Sequence, residues 1–101
     1  MDKNDFAADT RYTITWHRPG GRPMPAAIYV CKTHEAFMIA RAGGADGALH
    51  KIGYGEVLKI VSAEPVPPEK RRIISPALLD EKTWRDRTSM AHYASSPALG
   101  K

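Results

Sequence analysis

Cys31 and His34 are the first residues to weigh for chemistry, because a thiolate beside an imidazole makes a nucleophile with its base. They lie three positions apart, and on an extended chain that spacing spans about 10 Å. No third group stands by to orient the imidazole. A lone cysteine beside Ile28, Tyr29 and Val30 reads instead as a small buried hydrophobe. The four histidines, His17, His34, His50 and His92, are widely separated singles, whereas zinc ligands come as pairs a few residues apart. Carboxylate pairs for acid–base work would have to come from Glu35, Asp46 and Glu56, which fall at strand ends or turns and read as solvated. The run Gly43-Gly44-Ala45-Asp46-Gly47 is glycine-rich, but it lacks the G-x-G-x-x-G spacing, and a strand follows it where a phosphate cradle needs a helix. It reads as a turn. No catalytic residue, metal or cofactor is expected.

Recognition is the remaining chemistry. Arg18 and Arg22 sit on a loop, Arg18–Pro25, stiffened by three prolines and loosened by a glycine pair. Guanidinium groups held this way suit a phosphate or carboxylate. With His50, Lys51 and Tyr54 they form the candidate contact surface of a non-catalytic binding or adaptor module, and a protein partner is expected. An adaptor of this kind would leave Trp84 and Leu79 partly exposed until the partner arrives. The alternative is weak RNA or DNA binding by a basic and aromatic sheet face. Arg11 and His17 would share one strand face, Lys32, Arg41 and Lys59 would decorate later strands, and Tyr29 or Tyr54 would stack a base. The net charge is +4, but it is spread as +1 in each of residues 1–25, 26–63, 64–75 and 76–101. A phosphate-tracking stripe is more concentrated than that.

These residues need elements to place them. At 101 residues, with 43% apolar and 26% charged content, the chain reads as one globular domain with a modest core. No apolar run approaches the roughly 18 residues of a membrane span. The charged opening Met1–Asp5 has no apolar run behind it and does not read as a signal peptide. One cysteine allows no internal disulfide and fits a reducing compartment. The expectation is a cytoplasmic protein of bacterial type.

Residues 1–9 read as a flexible lead-in. Arg11–His17 alternates, with Tyr12, Ile14 and Trp16 on one face, and predicts a strand. The centre of the chain, Ala26–Ala63, predicts strands at Ala26–Lys32, apolar on both faces and so covered on both sides, at Glu35–Arg41 after a Thr33-His34 turn, at Ala48–Ile52, and at Val57–Val61. The second of these also fits a short helix. Gly53-Tyr54-Gly55 predicts a sharp bend. Glu64–Glu69, with Pro65, Pro67 and Pro68, reads as a stiff strap across the sheet, and Lys70–Ile74 as an edge strand. Ser75-Pro76 is a helix start, and Thr83-Trp84-Arg85-Asp86 a second one. The units are then a domain over 10–74, a helical segment over 75–94 and a flexible tail over 95–101.

Met24-Pro25-Ala26-Ala27-Ile28-Tyr29-Val30 resembles the opening strand of Hfq-type bacterial Sm proteins, and His50-Lys51-Ile52 is similar to their RNA-contacting Lys-His step with the pair reversed. The match covers about ten residues, and the spacing between its two parts is shorter than the Sm strands need, so no family is assigned. The resulting expectation is a mainly β fold: a small, partly open, SH3-like or Sm-like antiparallel barrel of about five strands, with a C-terminal helical segment.

Overall fold

The computed structural model describes residues 1–43, 47–71 and 74–85, together with the backbone of 89–90. The expected alternation produces β1 (Thr10–His17), and the chain continues through β2 (Pro23–Thr33), β3 (Phe37–Ala42), β4 (Leu49–Gly53) and β5 (Val57–Pro65). A two-residue β6 (Ser89–Met90) follows. They form one antiparallel sheet in the order β5-β1-β2-β3-β4-β6. Among the described residues the sheet is not closed, and β5 and β6 are its edges.

Period two divides the residues between the faces. In β1, Tyr12, Ile14 and Trp16 are buried while Arg11, Thr13 and His17 are open. The buried set meets Ile28 and Val30 of β2, Met38 and Ala40 of β3, Ile52 of β4 and Val57 of β5 in one cluster. A residue from every long strand contributes, so the sheet curls around this inner core. Phe6 joins it, 5.0 Å from the Tyr12 ring and 5.9 Å from Tyr54 by centroid. The lead-in is therefore not free along its length: Asp2 caps a 3-10 turn at Lys3–Asp5, and Tyr12 Oη accepts the Ala7 N–H at 2.8 Å.

Sequence alternation mislocates residues wherever a strand carries a bulge. Between β1 and β5 the register slips twice, so Leu58 and Val61 are extra residues opposite no β1 partner. Both are open to solvent, at 51% and 60% exposure. A third slip makes Cys31 the extra residue of β2 against β3. Glu35–Arg41 is strand and not helix, although it begins two residues late, at Phe37. The Thr33-His34 turn is longer than expected, running over residues 34–36 before His34 N–H reaches the Phe37 carbonyl at 2.8 Å.

The loop Arg18–Pro25 is also shorter than its prolines suggest. Pro23, Met24 and Pro25 belong to β2, opposite His17, Trp16 and Thr15. Their position explains why proline is tolerated there. Pro23 and Pro25 share parity with Ala27, whose carbonyl accepts Gly43 N–H at 3.0 Å on the β3 side. The β3 partnership ends at Ile28 and Ala42, so the missing proline N–H groups face a side where no strand among the described residues needs them.

The outer face of β2–β4 carries a second core. Phe37, Ile39 and Leu49 pack against Trp84, with Cys31, Ile74, Leu78 and Leu79 around them. Trp84 is fully buried, which corrects the expectation of an exposed docking residue: the hydrophobic outer face needs a cover, and the chain supplies its own. The helical segment expected over 75–94 is, within the described residues, one α-helical turn at Pro76–Leu79 and a 3-10 turn at Glu81–Trp84. Pro76 takes the first helical position as expected, but Ser75 makes no side-chain cap; Asp80 caps the second turn instead. Ser89–Met90 is strand, paired with Leu49 and His50. The proline-rich segment expected as a strap begins as strand: Glu64 and Pro65 end β5 opposite Arg11 and Thr10, and buried Val66 extends that edge with its N–H on the Asp9 carbonyl at 2.9 Å. The Lys70–Ile74 edge strand falls partly on residues 72–73, and the tail 95–101 and His92 fall wholly outside the described residues. Among the described residues no helix is long and apolar enough to cross a membrane.

Candidate functional site at the mouth of the sheet

One end of the inner core opens to solvent where β1 ends and β2 begins. The connection is a tight turn, Arg18-Pro19-Gly20-Gly21, closed by the Gly21 N–H on the Arg18 carbonyl at 2.9 Å. Gly20 has φ +80, the value of the third residue in a type II turn, and Pro19 before it is preset for the second. His17 Nε2 donates to the Gly21 carbonyl at 2.9 Å and ties the turn back to its strand. The turn holds the Arg18 guanidinium 4.4 Å from the centroid of the Trp16 ring. Such a cation–π contact contributes about 0.5–1 kcal/mol at an exposed site.

Trp16 is held from its other side. Its indole N–H donates to Glu56 Oε1 at 3.0 Å, and Glu56 Oε2 accepts the Gly53 N–H at 3.0 Å. The His50 ring meets the Trp16 ring edge-on, 5.4 Å between centroids. Burial, and secondarily the positive charge of Arg18, lowers the His50 pKa below its ordinary value. Around these groups lies a slot of ≈ 320 Å³ whose walls include Arg18, Arg22, Met24, Ala26, Ala42 and His50. Its cationic groups have no carboxylate beside them among the described lining residues.

Of the sequence-predicted surface, the structure brings Arg18, Arg22 and His50 together and separates Lys51 and Tyr54 from them. Lys51 neighbours His50 in β4 and so points to the opposite face. There its Nζ donates to the Trp84 carbonyl at 2.9 Å and lies 5.0 Å from the Phe37 ring centroid. Tyr54 is buried, its hydroxyl 2.5 Å from the His34 carbonyl and 3.0 Å from that of Phe37. Trp16 is not among the residues the sequence proposes for this surface, and Met24 lies within its Arg18–Pro25 loop without being singled out. Trp16 reads as core from alternation alone, and Met24, 61% exposed, sits inside what looked like an irregular loop.

The basic face expected for nucleic acid is divided. Arg11, His17 and Lys59 stay on the bare outer face of β1 and β5, with Thr13 and Thr15. Arg11 stands opposite Glu64. Lys32 lies exposed toward the far end of β2, and Arg41 is 1% exposed, with its Nη1 donating to the Gly47 carbonyl at 3.0 Å. The aromatic component is missing from that face, because Tyr29 and Tyr54 are both buried. Tyr29 turns toward Asp9, to which its hydroxyl donates at 2.8 Å.

The thiol–imidazole pair is likewise drawn into structure. Burial pushes the Cys31 thiol up to about 12, with the Arg41 charge opposing. His34 Nε2 donates to the Leu79 carbonyl at 2.8 Å. No group of His, Cys, Asp and Glu among the described residues is arranged to hold a metal ion. A larger cleft of ≈ 640 Å³ lies between β4 and the Glu81–Trp84 turn, but Lys51, Lys82 and Arg85 share it with Glu56 and Glu81. Charges of both signs leave it without a preferred ligand sign. No protein-family model matches the chain, and no curated protein or solved structure matches it either.

Proposed function

We propose that this chain is a non-catalytic binding module that docks a protein partner at the mouth of its curled sheet. The observation that carries the reading is the Arg18–Trp16–His50 group, held beside an apolar slot by a turn whose geometry is set before any ligand arrives. A preset loop loses less conformational entropy on binding, and arginine and aromatic side chains dominate protein–protein contacts. The SH3-like or Sm-like barrel belongs to this reading. Its support is the order β5-β1-β2-β3-β4 and the 3-10 turn Tyr54–Glu56 that joins the last two strands. We also place the protein in the cytoplasm of a bacterium.

The test is a photo-crosslinking residue at position 24, with a control at position 13 on the bare outer face. A partner captured from position 24 alone, identified and then purified, should bind wild-type protein and lose affinity for the Arg18→Ala/Arg22→Ala variant. Capture from position 13 alone, or binding indifferent to the arginines, would sink the reading. Weak RNA or DNA binding is the second reading, favoured by Arg11, Thr13, His17 and Lys59 on one face. It requires oligonucleotide affinity that falls steeply with salt and with Arg11→Ala/Lys59→Ala.

A further inference from the structure

The mouth also constrains what kind of segment docks there. Resting on the binding-module reading, we propose that the mouth takes an extended acidic segment of the partner: an aliphatic side chain enters the slot and a neighbouring carboxylate is gripped by Arg18 and Arg22.

Sign is the first argument. Arg18 and Arg22 line the slot, and no Asp or Glu among the described residues lines it with them. Glu56, which holds Trp16 from its other side, is already committed to the Trp16 indole N–H and the Gly53 N–H. His50, the other basic side chain of the slot, has its pKa lowered by burial first and by the Arg18 charge second, so the cations that face a ligand here are the two guanidinium groups. An incoming carboxylate would complete that charge set, and arginine binds carboxylates in a two-pronged geometry that lysine cannot reproduce.

Shape is the second. The slot is ≈ 320 Å³, at the small end of ligand clefts, and its floor is Trp16 with Met24, Ala26 and Ala42 beside it. That matches an aliphatic side chain. A nucleic-acid strand needs cations spaced along its phosphates and an open ring for stacking, whereas here Lys32 lies away from the mouth, Arg41 is buried, and Trp16 is 7% exposed beneath Arg18.

Backbone chemistry is the third. Beyond Ile28, β2 has no β3 partner, and the Pro25 carbonyl, in line with that of Ala27, turns toward a side that no strand among the described residues pairs, next to the slot. A peptide in extended form brings N–H donors to such an edge. A phosphodiester backbone has none.

The experiment uses full-length protein and three labelled pentapeptides, acetylated and amidated: Glu-Glu-Leu-Glu-Glu, Glu-Glu-Gly-Glu-Glu and Lys-Lys-Leu-Lys-Lys. Oligothymidylate is the fourth probe. The expected result is that the first peptide binds, that replacing its leucine by glycine or its glutamates by lysine removes most of the binding, and that Arg18→Ala/Arg22→Ala weakens it about tenfold or more. Arg18→Lys keeps the charge and should still weaken it, because the paired geometry is lost. Both arginines are exposed, so these variants keep the fold, and a melting curve confirms it. Leucine-independent or arginine-independent binding would overturn the proposal. So would silence of all three peptides while the crosslinked partner still docks at position 24; that outcome leaves the binding-module reading standing. Arginine-dependent binding of oligothymidylate alone would remove both.

Discussion

The Tyr29 hydroxyl donates to the Asp9 carboxylate at 2.8 Å, across twenty residues of sequence. Asp9 has φ 54, the left-handed region that aspartate tolerates better than most side chains. Its backbone N–H bonds the Val30 carbonyl at 2.7 Å and its carbonyl receives Val66 N–H. One residue thus joins the lead-in, β2 and the chain just past the end of β5. Asp9→Ala removes the acceptor and keeps the backbone strain, so it should cost about 1–3 kcal/mol. Asp9→Asn keeps an acceptor and the tolerated backbone and should cost less. Urea unfolding midpoints of the two variants check this order.

Trp84 and Trp16 are both buried aromatic anchors, at 0% and 7% exposure, but of different cores. Each truncation to alanine should cost about 3–5 kcal/mol. The consequences should differ in kind. Trp84→Ala uncovers only the outer face of β2–β4, so brief proteolysis should cut within residues 74–85 while a sheet fragment survives. Trp16→Ala opens the inner core shared by all the long strands, and no such fragment should persist.

Gly20 and Gly55 separate conformational strain from crowding. A Cβ at either position meets no atom within 4 Å, but only Gly20 has positive φ, at +80. Gly20→Ala should therefore destabilise by about 1–2 kcal/mol, and it should also disturb the Arg18 contact on Trp16. Gly55→Ala should be neutral, or stabilising by up to about 1 kcal/mol, because it restricts the unfolded chain. Paired thermal melts decide it.

Protonation is linked to stability at opposite ends of the pH scale. The His50 pKa is lowered by burial first and Arg18 second. As pH falls below about 6.5 the unfolded chain binds this proton before the folded one does. Stability should then decline until the pH passes the folded-state pKa, and His50→Gln should remove that slope. Tyr29 is pushed up to about 12 by burial and then by Asp9. Its ionisation is easier in the unfolded chain, so this contribution is present below pH ~10 and fades as the pH rises toward 12.

Cys31 should be a poor nucleophile in the folded protein. Burial pushes its thiol up to about 12, and the thiolate is the reactive form. Iodoacetamide at mildly alkaline pH should label it far more slowly than the urea-unfolded chain, and rapid labelling of the native protein would contradict the half-buried, raised-pKa thiol at the bulge.

Local pattern was legible wherever one residue's neighbours along the chain settle its fate. Tyr12, Ile14 and Trp16 share a buried face because strand side chains alternate, and no other part of the molecule is needed to say so. Apolar residues on both faces of Ile28–Cys31 likewise announced a strand covered twice. The prolines and the glycine pair of Arg18–Pro25 announce a stiffened connector by themselves, and two arginines on such a connector make Arg18 and Arg22 candidates.

What the residues could not state alone is what each one meets. The bulges at Cys31, Leu58 and Val61 exist only relative to a partner strand, so alternation along one strand cannot reveal them. Trp84 lies in a run too sparse in apolar residues to form its own core, and it is buried because Phe37, Ile39 and Leu49 present a face that needs covering. Adjacent residues His50 and Lys51 were grouped as one contact patch, yet the pleat sends one to the mouth and the other to the Trp84 carbonyl. Identity, spacing and backbone preference are properties of the chain; which groups share a surface depends on register and curvature, and those arise only when the strands pair.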